Sequence, residues 1–164
     1  MNRYTIYRDT SEKSGYGWLF PANDFCEGTE SFNLFTGDYS IKGLYEEKIF
    51  VIERKGSVGE FVGNISHKEK WDDFKQELDR LEQFKWPYLI CEFPFSQIER
   101  FPVGSNVPKS VWPKLRVKPE FLIKRTLEIS LAFKTKLIFA DSGGFKIASS
   151  LFKRVIERHE KERQ

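Results

Sequence analysis

The sequence predicts an α/β domain whose mixed sheet carries helices on both faces, and three observations support this. Short strand-like runs fill the first third. Helical and strand patterns then alternate from Ser57 onward. No linker or compositional break divides residues 1–164, so a single domain is expected. Alternation of this kind implies a sheet covered on both sides, and 164 residues suit one hydrophobic core.

The elements follow in order. Residues 4–7 read as a first strand running into Asp9-Thr10-Ser11-Glu12. Gly15, Gly17, Pro21 and Gly28 make the next stretch loop-like. Residues 32–35 form a short strand candidate, and Thr36-Gly37 suggests a turn. Residues 39–44 and 48–55 read as two strands around a polar turn. The second is better marked, because Ile49, Phe50, Val51 and Ile52 form an apolar, mostly β-branched run. Ser57 fits a helix N-cap with Glu60 as its capping-box partner, opening a helix over 58–65. Trp71, Phe74, Leu78, Leu81 and Phe84 recur at helical spacing and predict a helix over 71–84. Residues 88–93 read as a strand. The stretch 95–119 is irregular and Pro-rich, long enough to be a functional loop. Pro119 suits the first position of a helix reaching residue 133. A short strand over 136–140 follows, and then a helix towards His159 capped by Asp141-Ser142.

Composition excludes several classes. With 40% hydrophobic and 31% charged residues the chain is neither disordered nor fibrous. Sixteen Phe and four Trp mark an aromatic-rich core first, and base-stacking surfaces second. Cys26 and Cys91 give no zinc spacing and no disulfide framework. Cys91, inside Tyr88-Leu89-Ile90-Cys91, reads as a small buried hydrophobe in a reducing compartment. The start, Met1-Asn2-Arg3-Tyr4-Thr5, has no apolar signal region, and no apolar run reaches membrane-spanning length. The expected location is the cytosol, or the nucleus of a eukaryotic cell, away from membranes.

A net charge of +3 permits a polyanionic partner without demanding one. Between residues 109 and 125 six basic residues, Lys114, Arg116 and Lys118 among them, face one acid, Glu120. Such a stretch can track a phosphate backbone or form a solvated loop. His67 and His159 are isolated and read as surface residues. Ser142-Gly143-Gly144 reads as a cap and turn more readily than an anion site. The basic residues of the last helix are interleaved with Glu157 and Glu160, as on an ordinary solvated face.

Chemistry concentrates at Glu53-Arg54-Lys55. Side chains two apart on a strand share a face, so Glu53 and Lys55 project together and Arg54 projects away. Asp38 lies across the hairpin and supplies a second carboxylate. Two carboxylates beside an ammonium suit metal-assisted phosphodiester hydrolysis. The pattern is cheap by itself, since Glu46-Glu47-Lys48 repeats it in a turn, and charged strand ends are more often salt-bridged or solvated.

The longer string Gly37-Asp38-Tyr39-Ser40-Ile41, a turn, then Val51-Ile52-Glu53-Arg54-Lys55 resembles the signature of the XPF-type nuclease domain: Gly-Asp, a variable gap, then Glu-Arg-Lys. Asp9-Thr10-Ser11-Glu12 resembles the family's Asp-Thr-Arg-Glu, with Ser11 in place of Arg. The later helices and strands follow the family's order, so the resemblance spans nearly the whole chain. It implies a restriction-endonuclease-like fold and an endonuclease for DNA using Mg²⁺ or Mn²⁺. It implies Asp38 and Glu53 as metal ligands, Lys55 as the residue that orients or activates the attacking water, and Arg54 as a supporting or DNA-facing residue. Asp9 and Glu12 would be outlying carboxylates of the same cluster, Glu12 the nearer to the metal. The family often has an acid four residues after the Lys; here that place is Gly59 and the acid is Glu60, for which capping is a sufficient explanation and a place in the active site the open alternative. Many relatives also carry a helix-hairpin-helix domain. This chain is expected to lack one, so that DNA grip comes from the domain itself, a homodimer or a DNA-binding partner subunit. Structure-selective cleavage of branched, flapped or single-strand-containing DNA is the implied activity, in repair, recombination or a mobile-element or defence setting. A non-catalytic DNA-binding or scaffolding subunit is the alternative.

Overall fold

The computed structural model describes residues 3–164; Met1 and Asn2, part of the N-terminal stretch read for a leader, lie outside the described residues. Its elements are β1 (Tyr4–Asp9), β2 (Cys26–Phe32), β3 (Tyr39–Ile41), β4 (Phe50–Lys55), α1 (Val58–Ser66), α2 (Lys68–Leu81), β5 (Trp86–Cys91), α3 (Ser96–Glu99), α4 (Pro119–Ala132), β6 (Lys136–Phe139) and α5 (Gly144–Glu162). The six strands form one sheet in the order β2-β1-β3-β4-β5-β6. β1 and β2 run parallel, as do β4, β5 and β6, while β3 is antiparallel to both β1 and β4. The sheet is therefore mixed, as the element pattern predicts.

Period-two alternation divides the core between the two faces of the sheet. Val51 and Leu89 pack with Phe61, Ile65, Phe74, Leu78 and Ile129 of α1, α2 and α4. Phe50, Ile52 and Ile90 pack instead with Ala148, Phe152 and Val155 of α5. The Phe152 ring meets Phe20 and Phe50 edge-on at centroid distances of 5.0 and 5.6 Å. Truncating a ring so enclosed costs about 3–5 kcal/mol. All six residues of β4 are buried, which makes it the central strand of the molecule.

Several boundaries differ from the sequence expectation. β2 begins at Cys26, because Gly28 takes a positive φ of 126° where the β1–β2 register shifts, so the glycine bends the strand without ending it. The strand expected at 32–35 is only the end of β2. β3 stops at Ile41, where Gly43 turns the chain at φ 87° and donates its N–H to Glu46. α2 opens at Lys68 and ends at Leu81, a shift of about one turn. β5 opens at Trp86, with Pro87 in register with Val51. The irregular stretch 95–119 holds the single turn α3 and a 3₁₀ turn at Trp112–Lys114. Asp141 and Ser142 do not cap α5: they lie in a 3₁₀ turn, and Gly143 occupies the N-cap without a side-chain bond. Ser57 does cap α1, accepting the Glu60 N–H at 3.2 Å. No helix among the described residues is long and apolar enough to cross a membrane.

Candidate active site

Gly37 sets the position of Asp38. Its φ is 82°, and a Cβ there would stand 2.2 Å from Val51 Cγ2, so glycine alone lets the chain lie this close to β4. Asp38 then donates its N–H to Ile52 O at 2.8 Å, and its own carbonyl accepts the Asp9 N–H at 2.8 Å. Its carboxylate Oδ2 accepts the backbone N–H of Arg54 at 2.7 Å. The acid is thus pinned beside the end of β4.

Glu53 and Lys55 project from β4 onto the α1/α2 face. Lys55 Nζ donates to Glu53 Oε1 at 2.9 Å and lies 3.7 Å from Glu77 of α2, with the Phe74 ring 4.9 Å away. Glu53 and Lys55 are only 6% and 5% exposed, whereas Asp38 and Glu77 are partly open to solvent. Lys55 thus pairs with two carboxylates, Glu53 and Glu77, and a third, Asp38, lies near enough to feel its charge. Burial first, and then the neighbouring acids Glu12 and Glu77, push the Asp38 carboxyl up to about 7, although the Arg54 N–H and Lys55 pull against this. Burial and the Asp38 charge push Glu53 well above the usual carboxylate range, with Glu77 adding to the rise. Burial opposes the charge on Lys55, but Glu53 and Glu77 outweigh it and raise its pKa.

Arg54 points to the other face. Its guanidinium lies 3.6 Å from both Glu12 and Glu92, 5.8 Å from the Trp18 ring centroid. Tyr39 donates its hydroxyl proton to Glu12 at 3.0 Å, and Trp18 donates Nε1–H to Glu92 at 2.7 Å. The structure thus divides the residues singled out from sequence. It brings Asp38, Glu53 and Lys55 together. It places Glu12 with Arg54 in a separate ion-pair group, near enough to raise the pKa of Asp38. It does not bring Asp9 into the carboxylate group: Oδ1 accepts the Leu34 N–H at 2.7 Å, and Oδ2 accepts the Ser11 N–H and hydroxyl. Glu60 accepts the Gly56 N–H at 2.9 Å, which closes the helix cap. Lys114, which ends the 3₁₀ turn, and Arg116 and Lys118, which follow it, are exposed and alternate with half-buried Leu115 and Val117.

Two residues were not foreseen. Glu77 has a sequence signal, an acid on the apolar stripe of Trp71, Phe74, Leu78 and Leu81; Glu92 has none beyond its place after β5.

No group of three or more His, Cys, Asp or Glu side chains poised to hold a metal ion occurs among the described residues. The donor chemistry is that of two hard carboxylates, Asp38 and Glu53, in a buried site with more acids than bases. That suits Mg²⁺, which takes one or two carboxylates and completes its shell with water and phosphate.

The architecture is that of the α/β restriction-endonuclease-like fold. Among solved structures it is similar to XPF from Aeropyrum pernix, with a TM-score of 0.59 and 17% sequence identity over 91% of this chain. The chain spans 60% of the length of that protein, and the likeness is one of fold, in agreement with the XPF-type resemblance of the sequence. No protein-family model matches, and no curated protein matches by sequence.

Proposed function

We propose that this protein is a divalent-cation-dependent DNA endonuclease, selective for branched, flapped or single-strand-containing DNA. One observation carries the reading: Asp38, Glu53 and Lys55 converge at the end of β4, where the carboxylates of Asp38, Glu53 and Glu77 outnumber the one ammonium. A site so arranged is electrostatically incomplete without a cation. Asp38 and Glu53 would hold Mg²⁺ or Mn²⁺, which when bound supplies charge neutralisation at the scissile phosphate and a more acidic water.

The chain's own residues have distinct tasks. The Arg54 N–H fixes one Asp38 oxygen and leaves the other free. Lys55, with its pKa raised, stays an ammonium at neutral pH. It therefore orients the attacking water or the phosphate as a hydrogen-bond donor, and does not take the proton as a base. Glu77 holds Lys55 from the α2 side. Arg54, Glu12 and Glu92 brace the opposite face of β4. Lys114, Arg116 and Lys118 supply phosphate contacts.

Labelled duplex, single-strand, flap, fork and four-way DNA, incubated with Mg²⁺ or Mn²⁺, test the reading. Cleavage by the wild type should vanish in Asp38→Asn and Glu53→Gln. Cleavage that survives both substitutions refutes the site. A wild type that binds DNA but neither cleaves it nor takes up Mg²⁺ or Mn²⁺ in calorimetry is instead a scaffolding subunit.

A further inference from the structure

We propose that a groove between α1 and the stretch 114–118 receives an unpaired nucleobase of single-stranded DNA. DNA as the partner rests on the nuclease reading above, but the groove is separate from Asp38, Glu53 and Lys55. Its volume is about 710 Å³, within the range of small-ligand sites.

The floor is the outward stripe of α1. Gly59, Val62, Gly63 and Ser66 recur at helical spacing along it, and the two glycines leave the helix surface low. Leu115 and Val117 line the groove as well, together with Phe101 and Val107. Asn106 fastens this loop to α1, accepting the Gly59 N–H at 3.3 Å and donating to Ser57 Oγ at 3.3 Å.

The rim is cationic. Lys114, Arg116 and Lys118 all border the groove and are exposed, and no acid is among its lining residues. An apolar slot with a basic rim selects a ligand that is flat and apolar at one end and anionic at the other. A nucleotide has that shape, with its base in the slot and its phosphates on the rim. Base pairs in a duplex stay stacked and cannot enter, so the ligand is an unpaired base. Phe121 lines the groove and is 39% exposed, a ring available for stacking. The Arg125 guanidinium lies 5.1 Å from its centroid and 4.7 Å from that of Trp71, which holds the ring in place. Gly59, at one end of the groove floor, lies on the first turn of α1, the helix that follows β4 in the chain.

Gly63 supplies the decisive variant. A Cβ at this position meets nothing within 4 Å, so Gly63→Leu keeps the helix and fills the slot. The probe is a dT oligomer of about 16 nucleotides with one 2-aminopurine, compared with a duplex of equal length, by fluorescence in EDTA. The wild type should bind the single strand and change the 2-aminopurine signal. Gly63→Leu should weaken that binding about tenfold, as loss of one stacked base does, and leave duplex binding within about twofold. Arg116→Glu with Lys118→Glu should weaken single-strand binding and flatten its salt dependence. Wild-type protein that fails to bind the oligomer, or Gly63→Leu that binds it as the wild type does, overturns the proposal and leaves the groove to a protein or lipid partner. Cleavage is scored separately: a groove that fails while metal-dependent cleavage persists leaves the nuclease standing, and the converse result leaves the groove standing.

Discussion

Asp38→Asn should stabilise the metal-free protein at alkaline pH and destroy its response to Mg²⁺. The Asp38 carboxyl sits at about 7 in the fold against an ordinary value of 3.8, with burial as the main cause. At low pH it is neutral in both folded and unfolded chains and affects nothing. As pH rises from 3.8 to 7, the unfolded chain releases the proton while the folded protein retains it, so stability falls. Above 7 the loss is complete, and at about pH 8 a rise of this size corresponds to roughly 4 kcal/mol. Glu53 shares the strain, because removing the Asp38 charge lets Glu53 ionise more easily, and the asparagine amide needs a partner of its own. The expected net gain is about 2 kcal/mol, or about 4–8 °C in Tm for a chain of this size. Asparagine keeps an oxygen to accept the Arg54 N–H, so the backbone at Asp38 is preserved. The assay is thermal unfolding of both proteins in EDTA at about pH 5 and about pH 8, repeated with excess Mg²⁺. The gain should be far smaller at the lower pH. Mg²⁺ at about a hundredfold over its Kd should stabilise the wild type by about 2.7 kcal/mol and leave Asp38→Asn unmoved. An Asp38→Asn protein less stable than the wild type at the higher pH in EDTA would refute the electrostatic account.

Gly37→Ala should cost more than about 2 kcal/mol in denaturant unfolding, because a positive φ and a clash with Val51 Cγ2 combine, and Val51→Ala in the same chain should recover part of the loss. Arg54→Met should destabilise by about 3–5 kcal/mol, since it strands Glu12 and Glu92 on the α5 face; an unchanged denaturation midpoint would remove Arg54 from the ion-pair group. Glu60→Gln should keep DNA cleavage within about twofold of wild type and cost under about 1 kcal/mol, as expected of a cap residue. A loss of cleavage as deep as that of Glu53→Gln would instead move Glu60 into the active site.

What the sequence made legible was whatever depends on neighbours in the chain. The helix of Phe74 and Leu78 announced itself by period, and Ser57 with Glu60 announced the start of α1. β2 stayed hidden because its residues Cys-Glu-Gly-Thr-Glu-Ser-Phe belong to an edge strand with one partner, where neither strong apolar alternation nor the absence of glycine is required. Asp9 illustrates a second limit. An acid closing a strand serves equally as a metal ligand or as an acceptor for loop N–H groups, and only the position of Leu34 and Ser11 assigns it to the loop. Glu77 illustrates a third, since its contact with Lys55 forms only when α2 docks on β4.

The triplet Glu53-Arg54-Lys55 shows how one strand sustains two unlike jobs. Strand alternation sends Glu53 and Lys55 to the α1/α2 face and Arg54 to the α5 face, so the consecutive charges never share an environment. On one side the carboxylates outnumber the ammonium and leave a demand for positive charge. On the other, Arg54 meets Glu12 and Glu92, which are themselves held by Tyr39 and Trp18. The backbone N–H of Arg54 joins the two sides, because it is the group that pins Asp38. Arg54 therefore acts on the site through its main chain, and through the rigidity its side chain gives to the end of β4. Arg54→Lys separates the two contributions: it retains the N–H but loses the planar fork between Glu12 and Glu92. Cleavage that falls together with stability assigns Arg54 to positioning. Cleavage lost at full stability would instead place its side chain on the DNA.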